Sequence, residues 1–191
     1  MGGFVTCRFF DGRYWEAPVP DEWTCREETG LRSASHVLES GAGSRLVVWT
    51  GGYGPVAGRK WDDVPEEITV DEHRSAFSSV LDEARTYRMA TLKEQGTAAM
   101  RAALGREPSI SQHRLGELIG FTYERRTQEG VGWAGRFCAQ SLFLRVAFCA
   151  PPNSLTRDST VAHSFLSTVR TYAPNPTVET DVRKSGARDS P

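Results

Sequence analysis

The sequence predicts an α+β fold of mostly antiparallel β-sheet, packed with a long central helix and a C-terminal helix. Three observations carry the prediction. β-Branched and aromatic runs come in turn-separated pairs, helical periodicity is confined to two main stretches, and strands and helices do not alternate as they would in a doubly wound sheet. FVTCRFF, followed by Asp11-Gly12 and YWEAPVP, opens the chain as a hairpin. LRSASHVL and RLVVWT read as a second strand pair, separated by the turn-forming Ser40 to Ser44. GGYGPVAGRKWDDVP, from Gly51 to Pro65, is dense in Gly and Pro and predicts an exposed loop leading to the next helix.

Thr69 and Glu72 have capping-box spacing, and Phe77, Val80, Leu81, Ala84 and Tyr87 recur with helical period, so a long helix is expected from about Asp71 into the low nineties. A shorter helical piece from Gly96 to Leu104 is stopped by Gly105 and Pro108 and has only alanines to bury. GELIGFTYERR and GRFCAQSLFLRVAFCA then read as two strands joined by a loop over TQEGVGW. The second of these is apolar on both faces, as a doubly covered central strand would be. After Pro151-Pro152, Asn153 to Asp158 offer N-caps for a final helix whose buried stripe is Val161, Ala162, Phe165, Val169 and Tyr172. One domain over residues 1–172 is expected, with residues 173–191, rich in proline and poor in large apolar groups, forming a flexible tail. The chain length of 191 residues suits that single domain.

Composition excludes several classes. Twenty-three basic against 24 acidic side chains give a net charge of -1, without the positive field that drives nucleic-acid coating. No apolar run is long enough to span a membrane, and MGGFVTCRFFDGR lacks the pattern of a signal peptide, so a cytoplasmic location is expected. Cys7, Cys25, Cys138 and Cys149 have no C-x-x-C spacing and read as reduced, buried small hydrophobes; a Cys7 to Cys25 disulfide would require export.

Catalytic and cofactor signatures fail in detail. The glycine-rich segment 51–60 departs from a Walker loop: it is one residue short, has Arg59 at the lysine position, and meets Pro65 where a helix would have to begin. His36, His73, His113 and His163 fall on four separate elements without metal-ligand spacing, and Asp71-Glu72-His73 is explained by acids favoured in a first helical turn. No G-x-S-x-G elbow is present, Cys149 reads as a strand end, and the pairs Asp62-Asp63 and Glu66-Glu67 read as solvated. No catalytic residue, metal or cofactor is therefore assigned. Aromatic and arginine side chains are the better contact candidates: Trp49, Tyr53, Trp61 and Trp133 lie in or beside predicted loops, and Arg125 lies at a strand end, paired with Arg126 on the opposite face.

Certain residues taken together resemble a known family. They are the aromatic-Asp-Gly-aromatic start, the P-x-x-W step at Pro20 to Trp23, the long helix, the strands containing FTYERR and LFLRVAF, and the closing HSFLSTVRTY. Over about residues 4 to 172 this order is similar to the PsbP-like, DcrB-like superfamily. VPDEW and GFTYERRTQEGVGWAGRFCAQSLFL, with Gln140, resemble its effector-associated chaperones of bacterial type VI secretion. The chain is longer than those chaperones and carries the added GGYGPVAGRK segment and tail. The resemblance implies a non-enzymatic protein-binding module, a chaperone or adaptor for a secreted effector that acts as a homodimer. The alternatives are an immunity-type protein that covers a toxin through Asp62, Asp63, Glu66 and Glu67, or a small-ligand protein or enzyme using the 51–60 loop.

Overall fold

The computed structural model describes residues 3–9, 13–29, 34–52, 70–103, 105–127, 130–139 and 142–172. Ten strands and three helices lie among them: β1 (Phe4–Arg8), β2 (Tyr14–Pro18), β3 (Trp23–Thr29), β4 (Ala34–Ser40), β5 (Arg45–Gly52), α1 (Val70–Gln95), α2 (Thr97–Ala102), β6 (Ser111–Leu115), β7 (Leu118–Thr127), β8 (Gly130–Ala139), β9 (Leu142–Ala150), α3 (Leu155–Ser167) and β10 (Arg170–Tyr172). Every strand pairing among the described residues is antiparallel. The fold is α+β.

Two meanders, β3-β4-β5 and β6-β7-β8-β9, join through β5 and β9 into one seven-stranded sheet, and β1-β2-β10 form a small second sheet. Period-two alternation divides the large sheet into two faces. On one face Leu38, Leu46, Val48, Leu144, Val146, Phe148 and Phe137 pack against Trp15 and Val5 of the small sheet and Phe165 and Leu166 of α3. On the other, Phe121, Tyr123, Ala134 and Cys138 pack beneath Ala76, Val80 and Ala84 of α1. β9 is fourth of seven strands; its α3-side residues are all buried, whereas across its other face Phe143 and Ala147 are half-buried and Arg145 is exposed.

The structure corrects several expectations. GRFCAQSLFLRVAFCA is not one strand: β8 ends at Ala139 and β9 starts at Leu142, so the apolar run is two arms of a tight hairpin. The expected loop over TQEGVGW is largely strand as well. Gly130 and Gly132 sit in β8, where an added Cβ would run into the carbonyls of Ala150 and Phe148; both answer a close approach of backbones, and Gly130 also has a positive φ of 156°. Gly51 and Gly52 continue β5 opposite Phe143 and Leu142, while the rest of the Gly-rich segment, through residue 69, lies outside the described residues. The last helix ends at Ser167, and Tyr172 belongs to β10, stacked on Tyr14 at 5.0 Å instead of lining a helical stripe. In α1, Phe77 is exposed, although its ring edge meets Phe121 at 5.2 Å. Strands β3, β6 and β10 were not expected. The Asp11-Gly12 turn and the tail from 173 onward also lie outside the described residues. All four cysteines are free; Cys7 and Cys138 are buried, Cys25 and Cys149 half-buried. Burial pushes the Cys7 and Cys25 thiols up, away from the reactive thiolate.

A buried carboxylate ties α3 to the sheet. Asp158 is 1% exposed. It accepts hydrogen bonds from Ser44 Oγ at 2.5 Å, Ser40 Oγ at 3.2 Å and Arg157 Nε at 2.8 Å. Ser154 precedes the helix as its N-cap but makes no side-chain capping bond; its hydroxyl pairs with Ser44 Oγ at 3.0 Å. Burial pushes the Asp158 carboxyl up, but the bonds from Arg157, Ser44 and Ser40 outweigh it and hold the group below the usual carboxylate range. A folded-state value below the unfolded one means stability that is present at neutral pH and lost as pH falls below about 4. Asp158→Asn should therefore cost about 1–3 kcal/mol in urea unfolding at pH 7, with a smaller difference from the parent at pH 3.

Candidate functional site

A cleft of about 850 Å³ wraps the end of the large sheet where β6 stops short of β7. β6 has 5 residues and β7 has 10, and their pairing ends at Ser111 opposite Thr122. Beyond that point β7 has an open edge. Tyr87 of α1 covers part of it: its hydroxyl accepts from the Arg126 amide at 2.6 Å and donates to the Arg126 carbonyl at 2.8 Å, as a neighbouring strand would. Strand alternation turns the amide and carbonyl of Glu124 to the same side. Both therefore face the same way as those of Arg126, outward from β8 and past the last residue that β6 pairs.

On the α3 side of this edge the cleft is floored by rings. Trp133 of β8 and His163 of α3 are stacked at 4.7 Å and 5° apart, and His113 of β6 stacks on His163 at 5.0 Å. The Trp133 indole donates to Ser159 Oγ at 3.0 Å, and His113 Nε2 shares a 2.7 Å hydrogen bond with Thr122 Oγ1. His163 Nε2 is buried with no partner among the described residues. Burial lowers the pKa of both histidines, and the neighbouring His113 lowers that of His163 further, so both rings are neutral at pH 7. Around the α1 side, Tyr87, Thr91 and Leu92 complete the wall. The result is a trough of rings and hydroxyls, rimmed by the charged Arg88, Glu107, Glu124 and Arg126, beside the length of β7 edge that β6 leaves unpaired. Among the described residues no three His, Cys, Asp or Glu side chains gather as metal ligands.

The contact residues expected from sequence do not form one patch. Trp133 is only 8% exposed, inside β8 rather than on a loop, and reaches the cleft through its ring. Trp49 lies on β5, half-buried, with the Arg145 guanidinium 5.6 Å over its ring on the sheet face opposite Trp133. Arg125 lies on β7, half-buried, on the α1 face, and Arg126 is exposed on the other face, as alternation predicts. Tyr53 and Trp61, and the carboxylates Asp62, Asp63, Glu66 and Glu67, lie outside the described residues. The sequence reading missed Tyr87 as an edge cap and missed the meeting of His113 with His163, which are 50 positions apart and bear no local pattern. The histidines do fall on separate elements, but β6 and α3 bring two of them into contact.

No protein-family model, curated protein or solved structure matches this chain. No described helix is long and apolar enough to cross a membrane.

His36 is also buried, and burial lowers its pKa as it does for His113 and His163. Histidines with folded-state values below about 6.5 contribute stability above that pH and lose it as pH falls toward the folded values. The urea midpoint should accordingly drop between pH 7.5 and pH 5.5, and His163→Phe, which keeps a ring against Trp133, should make that drop shallower. Tyr87→Phe should remove the cap on Arg126, lowering stability by about 1 kcal/mol and increasing self-association in light scattering through the bared edge.

Proposed function

We propose that this chain is a non-enzymatic protein-binding module, a chaperone or adaptor for a secreted effector, which takes an extended segment of its partner along the open edge of β7. The observation that carries the reading is the stretch of β7 edge beyond Thr122 that β6 leaves unpaired, which lines a cleft at Glu124 and is capped by Tyr87 at Arg126. A partner strand added there would gain main-chain hydrogen bonds from the edge and place alternate side chains against the Trp133, His163 and His113 rings on one side and Leu92 on the other. Apolar area removed from water in that trough contributes ~25 cal/mol per Å² before ordering costs are subtracted. Assignment to the PsbP-like, DcrB-like superfamily and its effector-associated chaperones, with the homodimer they imply, rests on the motifs and their order along the chain.

The test is native capture on the tagged full-length chain with a high-salt wash, followed by amide exchange on the recovered complex. A retained protein that slows exchange at Glu124 supports the reading. Glu124→Pro, which an edge strand tolerates, should reduce capture at least about tenfold with an unchanged circular dichroism spectrum. No retained protein, or a retained protein that leaves Glu124 exchange unchanged, would overturn it.

A further inference from the structure

A second recessed surface, adjoining the cleft beside β7, lies between the C-terminal half of α1 and α2. α2 contributes no buried residue, so its apolar side is not absorbed by the core. That side instead faces a groove of about 470 Å³ lined by Met89 and Leu92 of α1, Met100 of α2, and Ala103 and Pro108 beyond it. The chain has three methionines, and two of them meet here. Met89 is 45% exposed and shares the groove with the half-buried Met100, so the methionines give it an apolar floor that solvent reaches. Methionine's unbranched, polarisable side chain suits a surface that must repack around an incoming partner.

The rim is cationic. Arg85, Arg88, Arg101 and Arg106 surround the apolar floor, against the single carboxylate of Glu107. Arg85 is committed to Glu107 through two 2.9 Å bonds, and Arg88 donates to the Arg106 carbonyl at 2.5 Å. Arg101 and Arg106 are exposed and form no ion pair with a described residue. Two guanidinium groups without an ion-pair partner among the described residues, beside a methionine-lined floor, define the complementary ligand: apolar on one face and acidic along its flanks.

We propose that this groove docks an acidic amphipathic helix of a partner protein. An occupant of that kind places apolar anchors at i, i+3, i+4 and i+7 on Met89, Leu92 and Met100, and its flanking carboxylates meet Arg101 and Arg106. The groove is only partly enclosed, which suits a helix that covers it with its own polar back. It shares Arg88, Leu92, Glu107 and Pro108 with the cleft beside β7, but Met89, Met100, Arg101 and Arg106 line this groove alone, so variants at those four positions test it separately from Glu124→Pro.

The experiment uses the full-length chain carrying ¹³C-methyl methionine, with Met89 and Met100 signals assigned through Met89→Leu and Met100→Leu. The probe is an 18-residue helical peptide with leucines on one face and glutamates on the flanks, compared with its lysine-flanked and scrambled counterparts and with dodecanoate. Both methyl signals should shift with the glutamate peptide at micromolar concentration. The affinity should fall at least about tenfold in the double variant Arg101→Glu/Arg106→Glu, whose exposed positions leave the thermal midpoint unchanged, and in Met100→Gln. The proposal is overturned if the glutamate peptide fails to bind at millimolar concentration, if the lysine or scrambled peptide binds as well, or if charge reversal has no effect. Dodecanoate binding more tightly than the peptide at the same methyls would overturn it too, assigning the groove to a small anionic amphiphile.

Discussion

The placement of α3 depends on one buried carboxylate. Asp158 sits in the first turn of the helix, where the aligned peptide dipoles already favour negative charge. Its directional bonds go to Ser40 and Ser44, at the turn between β4 and β5. The apolar contacts of Ala162, Phe165 and Leu166 hold the helix down without choosing its rotation or its register, because apolar burial is non-directional. The carboxylate supplies that choice at one end. At the other end the chain leaves the helix and pairs Arg170 to Tyr172 with β2, while Arg170 and Thr171 approach the Glu117 carboxylate. A helix fixed at both ends also fixes the angle between the small sheet and the large one. Removing an ionised group from water costs several kcal/mol unless its lone pairs are met, so the serines and Arg157 are conditions for the charge being there at all.

The cleft inherits its geometry from that anchoring. Ser159 follows Asp158 directly and His163 lies four residues beyond Ser159, so the register that buries Asp158 also sets Ser159 beside the Trp133 indole and lays His163 flat on its ring. The remaining wall arises from a difference in strand length. β6 covers only the first half of the β7 edge, and an uncovered edge is a template for unwanted pairing. Tyr87 answers that hazard at Arg126 with a single hydroxyl that serves both backbone groups. Glu124 lies between that cap and the last residue that β6 pairs. An edge protected at one position and open at the next, inside a recess, is more selective than a bare edge, because an incoming strand must also fit between α1 and α3.

The elements read correctly from sequence are those with a one-sided apolar pattern. β1 alternates exposed and buried residues around Val5 and Cys7, β4 and β5 flank a turn-rich Ser40 to Ser44, and α1 repeats its small and branched apolar residues every three or four positions. The strands that escaped, β3, β6 and β10, are each the outer strand of a sheet. WTCREET and SQHRL are charged or polar because an edge that faces water must discourage further pairing, and those residues erase the alternation by which strands are recognised. The glycines of β8 misled in the opposite direction. Gly130 and Gly132 look like a flexible loop, yet they mark where the β8 and β9 backbones leave no room for a Cβ. Trp133 was therefore placed on a loop when it is buried in a strand.

The candidate site was harder to read than the fold for a related reason: each contributor is locally unremarkable. His113 is one polar residue in a polar edge strand, His163 sits among helical residues of mixed character, and Tyr87 falls on the expected apolar stripe of α1. Their role exists only after three distant elements have met. Once assembled, the chemistry is specific. Two imidazoles kept neutral by burial form part of an uncharged floor at pH 7, with ring centres 5.0 Å apart. Protonating both would set like charges at that separation, in a recess where one ring nitrogen already lacks a partner among the described residues. The same burial that makes the floor hospitable to an apolar segment therefore makes it intolerant of acid. The stability of the elements that build this cleft depends on both rings staying neutral.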